Sequence, residues 1–252
     1  MYPTEYYRTI RRNPNLVCYW RLNDVPATVA TDYAGKYDLN GIYNGPPGNE
    51  NIPLIVAVNN ETGTFAPNSK VFGKSGRNVE IPDAAPLRIT GDITIEAWIL
   101  LFEEGKTGYI LSKMNSIASG PNPYEFGINA GKLRFGLGNG TTSAKVSSSS
   151  NLPASVPLHV VGTSFRGEMS LYVNGVSIAT AALGAQAVKD AAYQALIGAL
   201  PGGGSLFNGL IGEVTLYNAA MSVATAKEHF SIGRQIIYKK PFYITYDSPS
   251  YS

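Results

Sequence analysis

The sequence predicts an all-β fold, a sandwich or barrel of short strands, and three observations carry that prediction. Glycine (27), proline (16) and tyrosine (16) are abundant while only 15% of the 252 residues are charged, a composition suited to many turns and half-buried strands. From residue 70 onward, short apolar runs recur at regular intervals between turn residues. Within a run the apolar positions alternate: Ile93, Ile95, Ala97 and Ile99 share one face, and Thr94, Glu96, Trp98 and Leu100 form an opposite face that is only partly polar.

The elements follow in order. Residues 4–12 read as a short helix with Thr4 as N-cap and Pro14 as its stop. The first strong strand is 16–22, and Asn44-Gly45-Pro46-Pro47-Gly48-Asn49 is the clearest break. The apolar run 52–58 contains Pro53, which places it at a sheet edge or at the start of a strand. Strands 124–128 and 132–137 flank Asn129-Ala130-Gly131, strands 159–165 and 169–173 flank Arg166-Gly167-Glu168, and Asn174-Gly175 leads into 176–180; each is a hairpin signal. A strand at 210–217 and one short helix at 222–230, capped by Ser222, end the ordered pattern. The chain reads as an N-terminal segment (1–13), a strand-rich body (14–233) and a basic, tyrosine-rich tail (234–252) that folds on a partner.

With 44% hydrophobic residues the chain can bury a substantial core without metals or cross-links. The single cysteine, Cys18, has no intramolecular partner and lies in an apolar run, where a buried inert thiol is expected. No run approaches the roughly 18 apolar residues of a membrane span, and the first residues lack the layout of a signal peptide, so production in a cytoplasm is expected. Net charge is +2, but residues 1–12 and 234–252 each carry +2, leaving the body at −2. Without a basic stripe through the body, nucleic acid is not an expected partner. The two ends read instead as attachment segments, with Tyr2, Tyr6, Tyr7, Arg8, Arg11 and Arg12 at one and Tyr238, Lys239, Lys240, Phe242, Tyr243 and Tyr246 at the other as partner-binding residues.

Catalysis is not expected. A glycosidase needs two carboxylates about 5–9.5 Å apart, two residues apart on one strand face or on neighbouring strands, and no such pair is evident. Glu96 is followed on its face by Trp98 and Leu100, Glu213 by Thr215 and Tyr217, and Glu103-Glu104 belong to a polar turn. His159 and His229 are far apart in sequence, and His159 heads a core strand as a hydrogen-bonded structural histidine. Pro201-Gly202-Gly203-Gly204-Ser205 lacks the lysine and helix of a phosphate cradle, so it is a loop.

The motifs taken together, over about 14–233, resemble the laminin G-like, concanavalin A-like jelly-roll family. Asn15-Leu16-Val17-Cys18-Tyr19-Trp20-Arg21-Leu22-Asn23-Asp24 is similar to its opening strand, and Asp32-Tyr33-Ala34-Gly35 with Leu39-Asn40-Gly41 to the segment after it. The same holds for Ile93 to Ile99, Gly108 to Lys113, His159 to Thr163 with Leu171 to Gly175, Leu196-Ile197-Gly198 and Phe207 to Asn218. Leu158 stands where a tryptophan is usual, and Gly212 where an acid is usual. The resemblance implies a concanavalin A-like jelly roll with short terminal extensions and one C-terminal helix. It also implies calcium as the commonest functional addition, for which Asp24, Asp32 and Asp38 are the available ligands, although no cofactor is required. Tyr6 to Leu22 further resembles the opening of a bacteriophage subset of the family, which implies a virion protein, a capsid decoration or minor tail protein, contacting other virion proteins or its own copies. The alternative is a carbohydrate-binding module for cell-surface glycans, with Tyr109, Tyr124 and Tyr193 as stacking residues and Tyr217 also available; a glycoside hydrolase is the remote third.

Overall fold

The computed structural model describes residues 5–24, 28–45, 57–58, 65–66, 70–72, 77–115, 122–182 and 188–234. Helix α1 (Glu5–Arg12) is followed by strands β1 (Leu16–Trp20), β2 (Val29–Ala30), β3 (Gly41–Asn44), β4 (Ala57–Val58), β5 (Phe65–Ala66), β6 (Lys70–Phe72) and β7 (Asn78–Ile81). Then come β8 (Ile93–Leu101), β9 (Gly108–Lys113), β10 (Tyr124–Asn129), β11 (Lys132–Gly138), β12 (Ser143–Ser147) and β13 (Leu158–Phe165). The chain continues through β14 (Glu168–Val173), β15 (Val176–Ala182), β16 (Ala195–Ile197), β17 (Gly209–Tyr217) and helix α2 (Val223–Arg234). One sheet has seven strands in the order β1-β17-β8-β13-β14-β15, with β6 also paired to β17; the other has eight in the order β12-β11-β10-β9-β16-β7-β3-β2. Strands β4 and β5 pair with each other. This is a sandwich, one of the two architectures that the turn spacing predicts, and the jelly roll that the resemblance implies.

Turn chemistry sets the register. Ala130-Gly131, Arg166-Gly167 and Asn174-Gly175 all have positive φ, between 47° and 87°, the two-residue hairpin geometry whose twist matches that of the strands it joins. Pairing begins beside each turn, at Asn129↔Lys132, Phe165↔Glu168 and Val173↔Val176. With register fixed, one face of every central strand turns inward. Trp20, Ile95, Ala97, Ile99, Val160, Leu171 and Leu216 of the seven-stranded sheet meet Val79, Ile81, Phe126, Phe135, Leu137 and Ile197 of the eight-stranded one. The sheets lie close together at Gly162, where a Cβ would lie 2.8 Å from Phe135 Cγ and 3.0 Å from Phe126 Cε2.

The outer face of the seven-stranded sheet is not solvent-like. Thr94, Glu96 and Trp98 are as buried as the residues between them, because α1 and α2 cover them and make a second core of Tyr6, Ile10, Leu16, Tyr19, Trp98, Tyr172, Leu210, Tyr217 and Ala226. This corrects the reading of 1–13 as a segment outside the sandwich: Tyr6 and Ile10 lie one helical turn apart and spend their apolar surface on this sheet. It also explains why all five residues of β1 are buried. A register shift between Leu16 and Cys18 sends Leu16 and Tyr19 to the second core and Val17, Cys18 and Trp20 to the first.

Other boundaries differ modestly from expectation. The first strand stops at Trp20 rather than at residue 22, and Leu22 takes a left-handed φ of 58°. Ser222 Oγ accepts the Thr225 N–H at 3.1 Å as the expected cap, but α2 runs on to Arg234. That last turn passes over Trp98 at Gly233, where a Cβ would come within 2.4 Å of the indole. The Thr4 cap, residues 52–56 and the tail from 235 lie outside the described residues. Gly162→Val is expected to cost about 1–3 kcal/mol by overpacking against two aromatic rings. Chemical denaturation should show a lower midpoint at unchanged slope.

Candidate functional site

The most concentrated polar chemistry lies under the two helices, on the outer face of the seven-stranded sheet. The Glu96 carboxylate, fully buried at the centre of β8, receives donors from five other positions. Tyr6 Oη of α1 (3.0 Å), His159 Nε2 of β13 (2.7 Å) and His229 Nδ1 of α2 (2.9 Å) meet Oε1, while Tyr217 Oη (2.9 Å) and Thr215 Oγ1 (3.3 Å) of β17 meet Oε2. The two histidines that look unrelated in sequence therefore share one acceptor. Burial alone would raise the Glu96 pKa, but the His229 charge and the hydrogen bonds from His159 and His229 outweigh it and hold the carboxyl well below its ordinary value.

Glu213 lies in the same layer, on the neighbouring strand β17. A bulge in β17 between Gly212 and Thr215 gives Glu213 a left-handed φ of 52°; its side chain binds Tyr19 Oη and, at 3.2 Å, both Nε and a terminal nitrogen of Arg21. Burial pushes its pKa up; Arg21 and Tyr19 offset part of that, and the Glu96 charge adds to it. Glu96 and Glu213 thus stand on neighbouring strands, but at 0% and 1% exposure neither is accessible to a substrate. Their role is to bind the layers: Arg21, itself buried, also stacks 5.3 Å from the Tyr7 ring centroid and 5.8 Å from that of Tyr33.

The remaining sequence candidates disperse. Tyr6 is buried and bonded to Glu96, so it is not a surface for a partner, and Tyr7 is half-buried among Arg11, Arg21, Tyr19 and Tyr33. Arg8 and Arg12 are exposed and each lies 3.7 Å from Glu5; Arg11 donates to Tyr7 Oη at 2.8 Å. Tyr238, Lys239, Lys240, Phe242, Tyr243 and Tyr246, like Tyr2, lie outside the described residues.

The three aspartates do not fit a calcium ion. Asp32 accepts the backbone N–H groups of Tyr19, Ala34 and Leu39, Asp24 accepts Thr31 N–H and Tyr43 Oη, and Asp38 binds the Asn40 amide. Their oxygens fasten turns rather than converge, and no group of three His, Cys, Asp or Glu suited to a metal occurs among the described residues.

Of the tyrosines considered for sugar stacking, Tyr124 is in the core with its hydroxyl on Leu87 O (3.1 Å), and Tyr217 is buried on Glu96. Tyr109 is 7% exposed beneath the Arg134 guanidinium, which donates to its hydroxyl at 2.8 Å. Tyr193 alone of the four is half-buried, in the connection between β15 and β16.

Its setting is built from below. Lys113, at the end of β9 with its side chain fully buried, donates to the Tyr193 carbonyl and to Asp83 Oδ1 at 2.6 Å. Burial lowers the Lys113 pKa, and Asp83 restrains that fall. Asp83 in turn holds Arg88 (Nε to Oδ2, 3.1 Å), which ties the loop between β7 and β8 to the same point. Lys189 donates to Tyr193 Oη at 3.0 Å, with its ammonium 5.2 Å from the ring centroid.

The Lys189 backbone N–H bonds to Gly138 O at 2.8 Å, and its stem crosses Gly140, where a Cβ would meet Lys189 Cδ at 3.2 Å. Gly140 belongs to the turn 139–142, in which Asn139 Oδ1 accepts the N–H groups of Thr141 and Thr142. An aromatic ring, a cation, and exposed hydroxyls are thus held together at the end of the sandwich where three connections meet. The arrangement suits a flat polar ligand with an apolar face. The sequence marks Tyr193 by type, but not its buried anchor, since Lys113 reads as an ordinary strand residue.

Glu96→Ala is expected to cost about 3–5 kcal/mol, because five buried donors lose one acceptor. The pH dependence follows from three groups. Glu96, held low, stabilises the fold above about 4.5 and ceases to as pH falls; Glu213, held high, costs stability as it ionises above about 4.5. His229 is held above its ordinary 6.5, because Glu96 outweighs the burial that opposes its charge; its contribution is complete below about 6.5 and is lost as pH rises through the raised value. Thermal unfolding across pH should therefore peak in mildly acidic buffer and decline on both sides, with the Glu96→Ala profile flatter.

Residues 72–227 match the laminin G-type family model described as the concanavalin A-like lectin/glucanases superfamily. No curated protein matches the sequence. Among solved structures, the binding domain of botulinum neurotoxin DC in complex with SialylT is similar with a TM-score of 0.61 at 12% identity, over 88% of this chain and 52% of that one. The binding domain of Paraclostridial Mosquitocidal Protein 1 gives 0.58 at 14% identity, over 88% and 52%. A structure of botulinum neurotoxin type C, whose cell entry is dependent upon interaction with two ganglioside molecules, gives 0.60 at 16% identity, over 90% and 53%. The chain spans about half the length of these structures, and at such identities the likeness is one of fold. The family model covers well over half of the sequence, and the chain belongs to the concanavalin A-like lectin/glucanase superfamily.

Proposed function

We propose that the protein is a non-catalytic, lectin-like binding module that recognises a cell-surface glycan at the sandwich end around Tyr193. The observation that carries this reading is the half-exposed Tyr193 ring, fixed through its carbonyl by buried Lys113 and flanked by Lys189 and the Asn139–Thr142 turn. A sugar ring would stack on the aromatic face, while Lys189, Thr141 and Thr142 hydrogen-bond to its hydroxyls. The family and the fold shared with toxin binding domains, including one in complex with SialylT, support a binding role. The sealed Glu96 and Glu213 pair supports the absence of catalysis.

A second reading, attachment within a bacteriophage particle, draws on the exposed Arg8, Arg11 and Arg12 face of α1. In it the segment 1–13 and the tail 234–252 contact other virion proteins. Deleting 235–252 and finding unchanged incorporation into particles would count against a role for that tail.

The glycan reading is tested on an array with the wild type and Tyr193→Ala. Binding to a restricted set of glycans is expected for the wild type. It should fall at least tenfold in the variant, a loss of about 1.4 kcal/mol, with unfolding unchanged. No glycan retained by the wild type, or equal retention by the variant, contradicts it.

A further inference from the structure

One carboxylate fastens both terminal helices. Tyr6 of α1 and His229 of α2 meet at Glu96 Oε1, and their rings stand edge to face at 6.3 Å. The surface they cover is aromatic: Trp98 stacks on Phe230 at 5.9 Å, and His159 on Phe230 at 6.3 Å. We propose that Glu96 and His229 form an acid-fastened clasp, in which protonated His229 holds α2, and through the shared carboxylate α1, onto the seven-stranded sheet, and loss of that proton loosens both helices together. The acidity of the surroundings then sets how often this second aromatic face opens.

The charge balance around the clasp favours this direction. Facing it are Tyr6 from α1, Tyr19 from β1, His159 from β13, and Glu213 and Tyr217 from β17, with Glu228 on α2 itself; Arg21 is turned to Glu213. Burial raises the Tyr6, Tyr19 and Tyr217 hydroxyls well above their ordinary value, so none of them titrates in the same range. His159 presents Nε2 to Glu96 and leaves Nδ1 without a partner, so it serves as a donor of one hydrogen bond. His229 is where Glu96 and Glu228 both favour a proton against the burial that opposes it. Once neutral, His229 keeps a hydrogen bond through Nδ1–H but loses the attraction of charge, and the clasp loosens without dissolving.

Hydrogen exchange of the full chain, followed by mass spectrometry at about pH 5.5 and about pH 8.5 and corrected for intrinsic rates, reads the clasp directly. Peptides covering 5–12 and 223–234 should lose protection together at the higher pH. The loss should approach tenfold for each pH unit by which the His229 titration lies above 6.5, while β10 and β11 stay unchanged. His229→Asn keeps a donor without the charge, and its two helices should exchange alike at both pH values. Unchanged wild-type protection, or pH dependence that persists in His229→Asn, would overturn the proposal. Should that variant not fold, an NMR titration of the His229 ring in the wild type decides. A midpoint above 6.5 that coincides with shifts at Trp98 supports the clasp, and one at or below 6.5 overturns it.

Discussion

The buried Glu96 carboxylate is the constraint on which the outer half of this molecule depends. A charge at 0% exposure in the middle of a sheet is costly unless every lone pair is used, and here donors arrive from β13, β17, α1 and α2. Satisfying it recruits α1 and α2, so α1 packs as part of the domain rather than as an appendage. The arrangement also decides what the sheet can do. A face that elsewhere could be open to a ligand is filled by Tyr6, Trp98, Tyr217 and Phe230, and the acids beneath it are structural.

The binding site proposed above accordingly lies at an end of the sandwich. Loops carry binding groups well only when something rigid holds them. Lys113 supplies this by reaching from the last residue of β9 to Asp83 and to the Tyr193 carbonyl, each on a different connection. The same device recurs at the opposite edge, where Asp32 gathers three backbone N–H groups. In both places a buried charged group holds backbone geometry.

The sheet architecture was legible because its signals are local. Asn174-Gly175, Arg166-Gly167 and Ala130-Gly131 are turns that almost specify their own geometry, and alternation in 93–100 gives the core face without further information. What was not legible is long-range. The partly apolar second face of β8, with Trp98 and Leu100 beside Glu96, signals a cover but not its identity, since α1 lies some ninety residues away in sequence. The bonding of Glu213 to Tyr19 and Arg21 depends on a bulge that nothing in Gly212-Glu213-Val214-Thr215 announces. Two histidines 70 residues apart give no hint that they share one acceptor. Tyr124 and Tyr193 are the same residue type in similar local surroundings, and only the packed sheets distinguish the core ring from the exposed one.

If a glycan binds at the loop end and at neither sheet face, a backbone amide chemical-shift titration of the full chain with a retained glycan should give shifts confined to residues 82–92, 139–142 and 188–194. Shifts centred on Tyr109, Glu125 and Arg134 at the outer face of the eight-stranded sheet would contradict it.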